Sequence, residues 1–408
     1  MTALVELAID SIAAGGDGVG RTEGLVVFVP RTAPGDLITA RIEPKGRFAR
    51  GALAELRGAS ADRVDPPCPH YTRDRCGGCQ LQHLAYEAQL AAKAGIVRDS
   101  LTRIARREVG PAEIRPSAHQ WRYRRKLTLA LRRRGGEWIA GLHPHDAPGQ
   151  IFRLDDCPIT DERVVRVWGE IMAASERFPR ERELRGAVRL LDDGASFVLE
   201  GGAAWPEARS FFDAVPGVSA LWWKRAGDRP RPVADRRQVR APGASFAQVN
   251  PAVADRLREY VVDRVMAREP TTAVDAYAGA GDTAAELAGR GVRVTAIEID
   301  RAAAAWAGER LPAGSRAVAG RVEEEISQAL PSDVVIVNPP RTGVDERVTA
   351  ALAAARPRAI VYVSCNPATL ARDLARLPGY QIATLLAFDM FPQTAHVETV
   401  CELVPEAA

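Results

Sequence analysis

Two stretches near the C-terminus hold side chains able to do covalent and acid–base chemistry. The apolar run AIVYVS (359–364) leads straight into Cys365-Asn366-Pro367. A lone cysteine is ordinarily a core residue, but this one ends a strand just before a helix begins. A helix N-terminus favours the thiolate, which is the reactive form of the side chain. Downstream lies Phe391-Pro-Gln-Thr-Ala-His396-Val-Glu398, where a Glu and a His follow a loop in the last strands and offer a general base. Cys401, in the strand that follows, reads as core.

A second group of residues suits a nucleoside-bearing cofactor. Asp275-Ala-Tyr277-Ala-Gly279-Ala-Gly281-Asp282 forms a strand-to-helix turn whose glycines let the backbone approach a ligand closely. Glu298 ends the next strand, 17 residues after Gly281, where a carboxylate accepts both hydroxyls of a ribose. A dinucleotide-binding fold shows the same two features. Asn338-Pro339-Pro340-Arg341, at the end of a later strand, separates the two cases, because it resembles the motif found at that edge in adenosylmethionine-dependent methyltransferases.

These residues need elements that bring them to one edge. From about 250 onward strands (TAVDAY, VRVTAIEI, DVVIVN, AIVYVS) alternate with helices over 251–267, 282–290, 301–310, 345–355 and 367–376, and IATLLAF and VETVCELV close the chain. Apolar runs separated by helices of about ten residues predict an α/β fold with a buried parallel sheet, wound on both faces. Ligands in such sheets sit at the carboxyl ends of the strands. Residues 1–58 read instead as a small OB-like β-barrel, from short strands at 25–30, 36–42 and 51–56 and glycine turns such as GGDGVG. Residues 59–240, with a helix at about 84–107, read as a central mixed α+β domain, and 241–408 as the Rossmann-like domain.

The 408 residues exceed one comfortable core, and 26% charged with 46% hydrophobic residues describes an ordinary globular chain. No apolar run reaches the ~18 residues of a membrane span. Glu6 and Asp10 stand where a signal peptide carries positive charge, so a cytoplasmic protein is expected. Of 55 basic residues only Lys45, Lys93, Lys126 and Lys224 are lysines, and arginine is the better phosphate and base-stacking side chain. His119-Gln-Trp121-Arg122-Tyr123-Arg124-Arg125-Lys126, followed by Arg132 to Arg134, is the densest mix of aromatic and basic residues and suits single-stranded RNA. Cys68, Cys76 and Cys79 are spaced C-x7-C-x2-C, with Cys157 in DDCPIT further on; spacing alone leaves zinc and an iron–sulfur cluster both open.

SCNPATLARDL, NPPRTG, FAQVN (246–250), DAYAGAG and DMFPQTAHVE together resemble the RNA uridine-5-methyltransferases, over nearly the whole chain. The resemblance implies a class I methyltransferase domain, a TRAM RNA-binding barrel at 1–58 and S-adenosylmethionine as cofactor. It makes Cys365 the nucleophile and Glu398 the base, with Gln248, Tyr277, Gly279, Gly281, Glu298 and Asn338 around the cofactor. It favours a 4Fe-4S cluster over zinc on Cys68, Cys76, Cys79 and Cys157. The implied substrate is RNA, ribosomal ahead of transfer RNA and not DNA, for a monomer that makes no use of a membrane. One departure stands out: the family's usual Asp-Pro-Pro-Arg is here Asn338-Pro-Pro-Arg, which keeps an acceptor oxygen, loses the charge and gains donors. The alternatives are an RNA-binding protein of this fold with impaired catalysis, motivated by Asn338, and a cytosine-5 methyltransferase; the terminal HVE favours uridine. A nicotinamide-dependent dehydrogenase would leave Asn338-Pro-Pro-Arg and Cys365 without work.

Overall fold

The computed structural model describes residues 3–238 and 247–406. Phe246 and the boundary expected at 240/241 lie outside the described residues; Gln248 lies within them. By packing, the chain forms two units: Met1–Asp65, Gln80–Ala118 and Ala252–Ala408 in one, Pro66–Cys79 and His119–Pro251 in the other.

The first unit opens with strands β1 (Ala3–Ile12), β2 (Gly18–Thr22), β3 (Leu25–Val29), β4 (Leu37–Pro44) and β5 (Phe48–Gly58), closed into a barrel in the order β1-β2-β3-β5-β4. Alternate residues such as Leu7 and Ile9, Val27 and Val29, and Ile38 and Ala40 fill its interior, as the two-residue period of a strand requires. Closure leaves no free sheet edge.

A short strand, β6 (Glu113–Arg115), comes before those of the second unit: β7 (Lys126–Arg134), β8 (Glu137–Leu142), β9 (Phe152–Arg153), β10 (Glu183–Leu191), β11 (Gly194–Glu200), β12 (Val218–Lys224) and β13 (Arg231–Asp235). These seven form one sheet in the order β13-β12-β11-β10-β7-β8-β9. Helices α1 (Pro69–Thr72), α3 (Glu162–Ala173) and α4 (Ala208–Ala214) belong to this unit, whereas α2 (Tyr86–Ser100) belongs to the first. One face of the sheet, carrying Leu127, Leu129, Val188 and Phe197, packs against Val164 and Trp168 of α3 and Phe211 of α4.

The remaining strands are β14 (Thr272–Ala276), β15 (Arg293–Glu298), β16 (Arg316–Ala319), β17 (Val334–Val337), β18 (Ala359–Ser364), β19 (Tyr380–Phe388) and β20 (Glu398–Pro405). With β6 they make an eight-stranded sheet in the order β16-β15-β14-β17-β18-β20-β19-β6. β14 to β18 run parallel, and β20 inserts antiparallel between β18 and β19. Helices α5 (Pro251–Met266), α6 (Asp282–Gly289), α7 (Arg301–Arg310), α8 (Val322–Ala329), α9 (Glu346–Ala355) and α10 (Pro367–Ala375) belong with it. Both faces are buried: Val335, Val337 and Tyr362 in one core, Val334, Ile336 and Val361 in the other. That is why these strands read as unbroken apolar runs. Chain order reverses between β14 and β17, and a doubly wound sheet opens its ligand crevice beyond the strand ends at that point. Among the described residues no helix is long and apolar enough to cross a membrane.

Candidate active site

β18 ends at Ser364, and Cys365 follows, half-buried, before α10. Asn366 caps that helix, its Oδ1 accepting from Ala368 N at 3.1 Å, while its Nδ2 donates to the Arg341 carbonyl at 3.3 Å. The antiparallel register pairs Ser364 with Thr399, so the next rung sets Cys365 level with Glu398 at the start of β20. The Arg341 guanidinium favours the anion of the Cys365 sulfur, and its Nη2 lies 3.3 Å from His396 Nε2. A thiol, a carboxyl, an imidazole and a fixed cation thus share the carboxyl edge of the sheet.

Glu398 is 2% exposed, and burial pushes its carboxyl up to about 8 against the pull of Arg341. The expected lowering of the Cys365 thiol by the helix N-terminus is not what the structure gives. Partial burial raises it, a charged Glu398 raises it further, and Arg341 works in the opposite direction. The resting site near neutral pH therefore holds a thiol and a protonated carboxyl beside one guanidinium. Loss of the first proton opposes loss of the second, because the two anions would be neighbours.

Two buried networks hold these groups in place. Asp373 of α10 is fully buried and accepts from Val344 N at 2.9 Å and from the Tyr362 hydroxyl at 2.7 Å, while Arg372 donates to the Thr342 carbonyl at 2.8 Å. They fix the loop that carries Asn338 and Arg341. The 389–396 loop that leads to Glu398 is tied to α2. Lys93 and Asp389, both 0% exposed, form an ion pair, and the Tyr86 hydroxyl donates to Asp389 at 2.7 Å. Gln89 and Gln393 exchange two hydrogen bonds of 3.0 Å.

The residues expected at the cofactor from Tyr277 to Asn338 lie around the switch point. Glu298 accepts from Gly279 N and from Asp300 N, each at 2.8 Å, which aims its carboxylate at the loop and leaves lone pairs for hydroxyl donors. Tyr277 takes a left-handed backbone (φ 64°), unusual for a residue with a Cβ, and turns the chain out of β14. Asp275 is buried, its Oδ2 has no partner, and burial lifts its pKa to about 7. The backbone N–H of Asn338 donates to the Ala276 carbonyl at 3.2 Å, and its side-chain amide has no partner among the described residues. An oriented carboxylate, an orphaned buried acceptor and an unpaired amide fit a polar nucleoside cofactor. Gly281 (φ 79°) lies so close to α7 that an added Cβ would fall 2.5 Å from the Ala307 Cβ. Gly281→Ala is expected to lower stability by about 1–3 kcal/mol and to weaken cofactor binding, checked by thermal melting and by calorimetric titration with adenosylhomocysteine.

Comparison with known proteins agrees with this geometry. Residues 321–404 match the family model for tRNA (uracil-5-)-methyltransferase, and residues 4–53 that for the TRAM domain. Over 98% of its length the chain is 35% identical to an uncharacterized RNA methyltransferase of Thermosynechococcus vestitus, 98% of which is covered. It is 32% identical to another from Protochlamydia amoebophila, over 98% of this chain and 97% of that one. Among solved structures it is similar to the Pyrococcus abyssi tRNA (uracil-54, C5)-methyltransferase in complex with S-adenosyl-L-homocysteine, with 27% identity, a TM-score of 0.70 and coverage of 98% of this chain and 99% of that one. The chain belongs to the RNA uracil-5-methyltransferase family.

In this methyltransferase the barrel is the TRAM domain, and β14–β20 form the class I sheet. Gln248, half-buried, belongs to the second unit and the other residues expected at the cofactor to the first. Cys68, Cys79 and Cys157 share one apolar cluster with Tyr71, Tyr123 and Ile159, and the sulfur of Cys76 accepts from Gly78 N at 3.4 Å. All four are free thiols, and among the described residues no three His, Cys, Asp or Glu side chains are grouped to hold a metal ion. The expected 4Fe-4S cluster, or zinc, finds no support in this arrangement of the described residues.

The aromatic-basic segment also turns inward. Arg122 is engaged by Asp156 at 2.7 and 2.8 Å, Tyr123 is 5% exposed, Trp121 packs on the cysteine cluster and Arg125 donates to the Leu191 carbonyl at 3.4 Å. Asp275, Arg341, Asp373 and the Lys93–Asp389 pair were given no role by the sequence. Asp275 opens DAYAGAG and Arg341 closes NPPR, so motif position could have found those two; nothing local marks the others.

Proposed function

We propose that this protein transfers a methyl group from S-adenosylmethionine to carbon 5 of a uridine in RNA, through a covalent adduct with Cys365. The observation that carries this is the Cys365–Glu398 pair, on facing strand positions beside Arg341, at the edge where Glu298, Asp275 and Asn338 form a cofactor crevice. Carbon 5 of uracil is a weak nucleophile. Adding the Cys365 thiolate to carbon 6 forms an S–C bond and moves the C5–C6 π electrons into an enolate, which makes carbon 5 able to attack. The cofactor would supply an electrophilic methyl group on a sulfonium, and the methyl–sulfur electron pair would stay with the departing thioether as carbon 5 bonds the methyl carbon. Glu398, in the carboxylate form it reaches on losing its proton, then takes the proton from carbon 5, the C5–C6 double bond re-forms, and the thiolate leaves with its electron pair. Arg341 steadies whichever of the two groups is anionic. Glu298 would orient the cofactor, and the tyrosine ring of Tyr277 would close its apolar side.

The reading places the protein in the cytoplasm with its RNA. The P. abyssi relative acts on transfer RNA, which supports that class as the first substrate to try, ahead of the ribosomal RNA favoured by the sequence. The test is incubation with adenosylmethionine and separate unmodified tRNA and rRNA, followed by nucleoside mass spectrometry. New 5-methyluridine in either RNA is the expected outcome. Its absence from both, with cofactor binding intact, would sink the catalytic reading and leave an RNA-binding protein whose Asn338 departs from the family's aspartate.

A further inference from the structure

The loop that leads into Glu398 is packed where surface loops are open. Gln393, Thr394, Ala395 and Val397 are all buried, and Gln393 holds a left-handed backbone (φ 70°). A residue with a Cβ keeps that conformation only where its surroundings impose it. Ties to Lys93 and Gln89 of α2 supply part of the restraint, and residues 80–85 supply the rest. Gln80 N and Leu81 N both donate to the Gln393 carbonyl, at 3.2 and 3.0 Å, and Gln80 Oε1 accepts from Ala395 N at 3.4 Å. The same short segment is stitched to the barrel and to the chain leaving it. Val64 N donates to the His83 carbonyl at 3.0 Å, and Ala85 N to the Asp62 carbonyl at 2.8 Å. His83 Nε2 lies 3.1 Å from the Thr32 carbonyl, which can only accept, so the ring donates there. Burial pushes the His83 imidazole down to about 4 and keeps it neutral.

The barrel also reaches the loop directly. The turn joining β1 to β2 is closed by Gly16 N on the Ala13 carbonyl at 2.8 Å, and Gly16 takes a φ of 90°. A Cβ added there would fall 2.5 Å from the Gln80 Cβ, 2.9 Å from its Cγ and 3.2 Å from the Ala395 Cβ. A side chain at position 16 must therefore push Gln80 or Ala395 aside. Ile12 and Ala33 of the barrel complete the seam, sharing one apolar core with Leu81, Leu84, Ile96 and Ala395. Ala395 adjoins His396, whose Nε2 faces Arg341 at 3.3 Å, and Val397 and Glu398 follow, both buried. In a close-packed interior a push on Ala395 is passed on, not absorbed.

We propose that the TRAM barrel has a task beyond the RNA contact its family implies: its β1–β2 turn, acting through Gln80, clamps the loop that aims Glu398 and His396. Gly16 and Gln80 are then positioning residues, which act on the reaction through the loop. Proton transfer is sensitive to such placement, since a shift of about 1 Å in a reacting group can cost ~10²-fold in rate. A seam built for stability alone would be met by large apolar side chains on both sides. Here a bare glycine backbone and a hydrogen-bonded glutamine meet the loop, which fixes its position more than it adds buried area. The inference rests on Glu398 being the base of the proposed reaction.

The test compares Gly16→Ala, Gln80→Ala and Gly24→Ala with the wild type, each in the full chain. Gly24 is also left-handed (φ 78°) and also in the barrel, but nothing lies within 4 Å of a Cβ added there. It carries the backbone strain without the collision. Gln80→Ala leaves the turn untouched and removes the acceptor for Ala395 N, so it decides the question should Gly16→Ala fail to fold. Gly16→Ala and Gln80→Ala are each expected to lower kcat at least ~10-fold, with the KM for RNA and the affinity for adenosylhomocysteine unchanged. Slower loss of the carbon 5 proton should leave a protein–RNA adduct visible on a denaturing gel in both. Amide hydrogen exchange over 393–398 should quicken in both, while Gly24→Ala keeps wild-type kcat and exchange. Wild-type kcat and exchange in Gln80→Ala overturn the clamp. An equal loss of kcat in Gly24→Ala overturns it too, by tracing the effect to barrel strain. So does a raised KM with kcat unchanged, which would make the turn an RNA contact. A wild type that methylates neither RNA class overturns the proposed function and with it the catalytic role of the clamp, whereas unchanged exchange alongside normal methylation overturns the clamp alone.

Discussion

Glu398→Gln is expected to trap the reaction halfway. With adenosylmethionine and a substrate RNA, the variant should accumulate a protein–RNA species that survives a denaturing gel, with turnover lowered ~10²–10⁴-fold. Glutamine keeps the shape of the side chain but cannot take the carbon 5 proton, so the thiolate cannot leave. Wild-type turnover should rise with pH through about 8, where burial has placed the carboxyl, and the variant should lose that dependence. Stability gives an independent check. A carboxyl whose folded pKa is raised above its unfolded value favours the folded state fully below the unfolded pKa and progressively less as pH rises. For Glu398 the window runs from about 4.5 to about 8. The variant and the wild type should thus melt alike near pH 4, and the variant should be the more stable by up to ~4 kcal/mol above pH 8. Asp275, raised to about 7 by the same cause, titrates in both proteins and drops out of the comparison.

The parts of the site that lie consecutively along one strand end were legible in the sequence. DAYAGAG, Glu298, NPPR and SCNP each close a strand of a parallel sheet, so the fold rule that gathers strand ends also gathers them. What no linear pattern carries is register. That Cys365 faces Glu398 depends on β20 inserting antiparallel beside β18, and that Arg341 lies between them depends on a loop clamped by a buried aspartate eight residues beyond the cysteine. α2 reads as a helix, yet its buried Lys93 and Gln89 are polar, and only their partners nearly 300 residues away explain them. The strand at 316–319 and the helix at 322–329 escaped notice because both are short. In the central region the strands are half-exposed, arginine-rich and paired out of chain order, with β12 parallel to β11, so hydrophobic periodicity is weak. The cysteine spacing says less for a related reason: C-x2-C shows that two sulfurs can meet, not that four reach a common centre.

Cys365→Ala should remove both the product and the trapped adduct, lowering turnover by at least ~10⁴-fold, the scale seen when a covalent nucleophile is deleted. Adenosylhomocysteine binding should persist, because Glu298, Asp275 and Gly279 are held by interactions that do not involve the sulfur. The thiol itself can be followed by iodoacetamide labelling and peptide mass spectrometry, which separates Cys365 from the fully buried Cys401. Only the thiolate reacts, so labelling should be slow at pH 7 and accelerate into the alkaline range, as a raised thiol requires. Combining the two variants' logic gives a sharper test. A charged Glu398 opposes the thiolate, so Glu398→Gln should label faster than the wild type above pH 8 and at nearly the same rate near pH 6, where the wild-type carboxyl is already neutral. Arg341→Gln should move the thiol the other way, since the guanidinium is what favours its anion. Equal labelling rates in all three proteins at every pH would mean that the sulfur, carboxyl and guanidinium do not sense one another, and the shared-charge description of the site would fail.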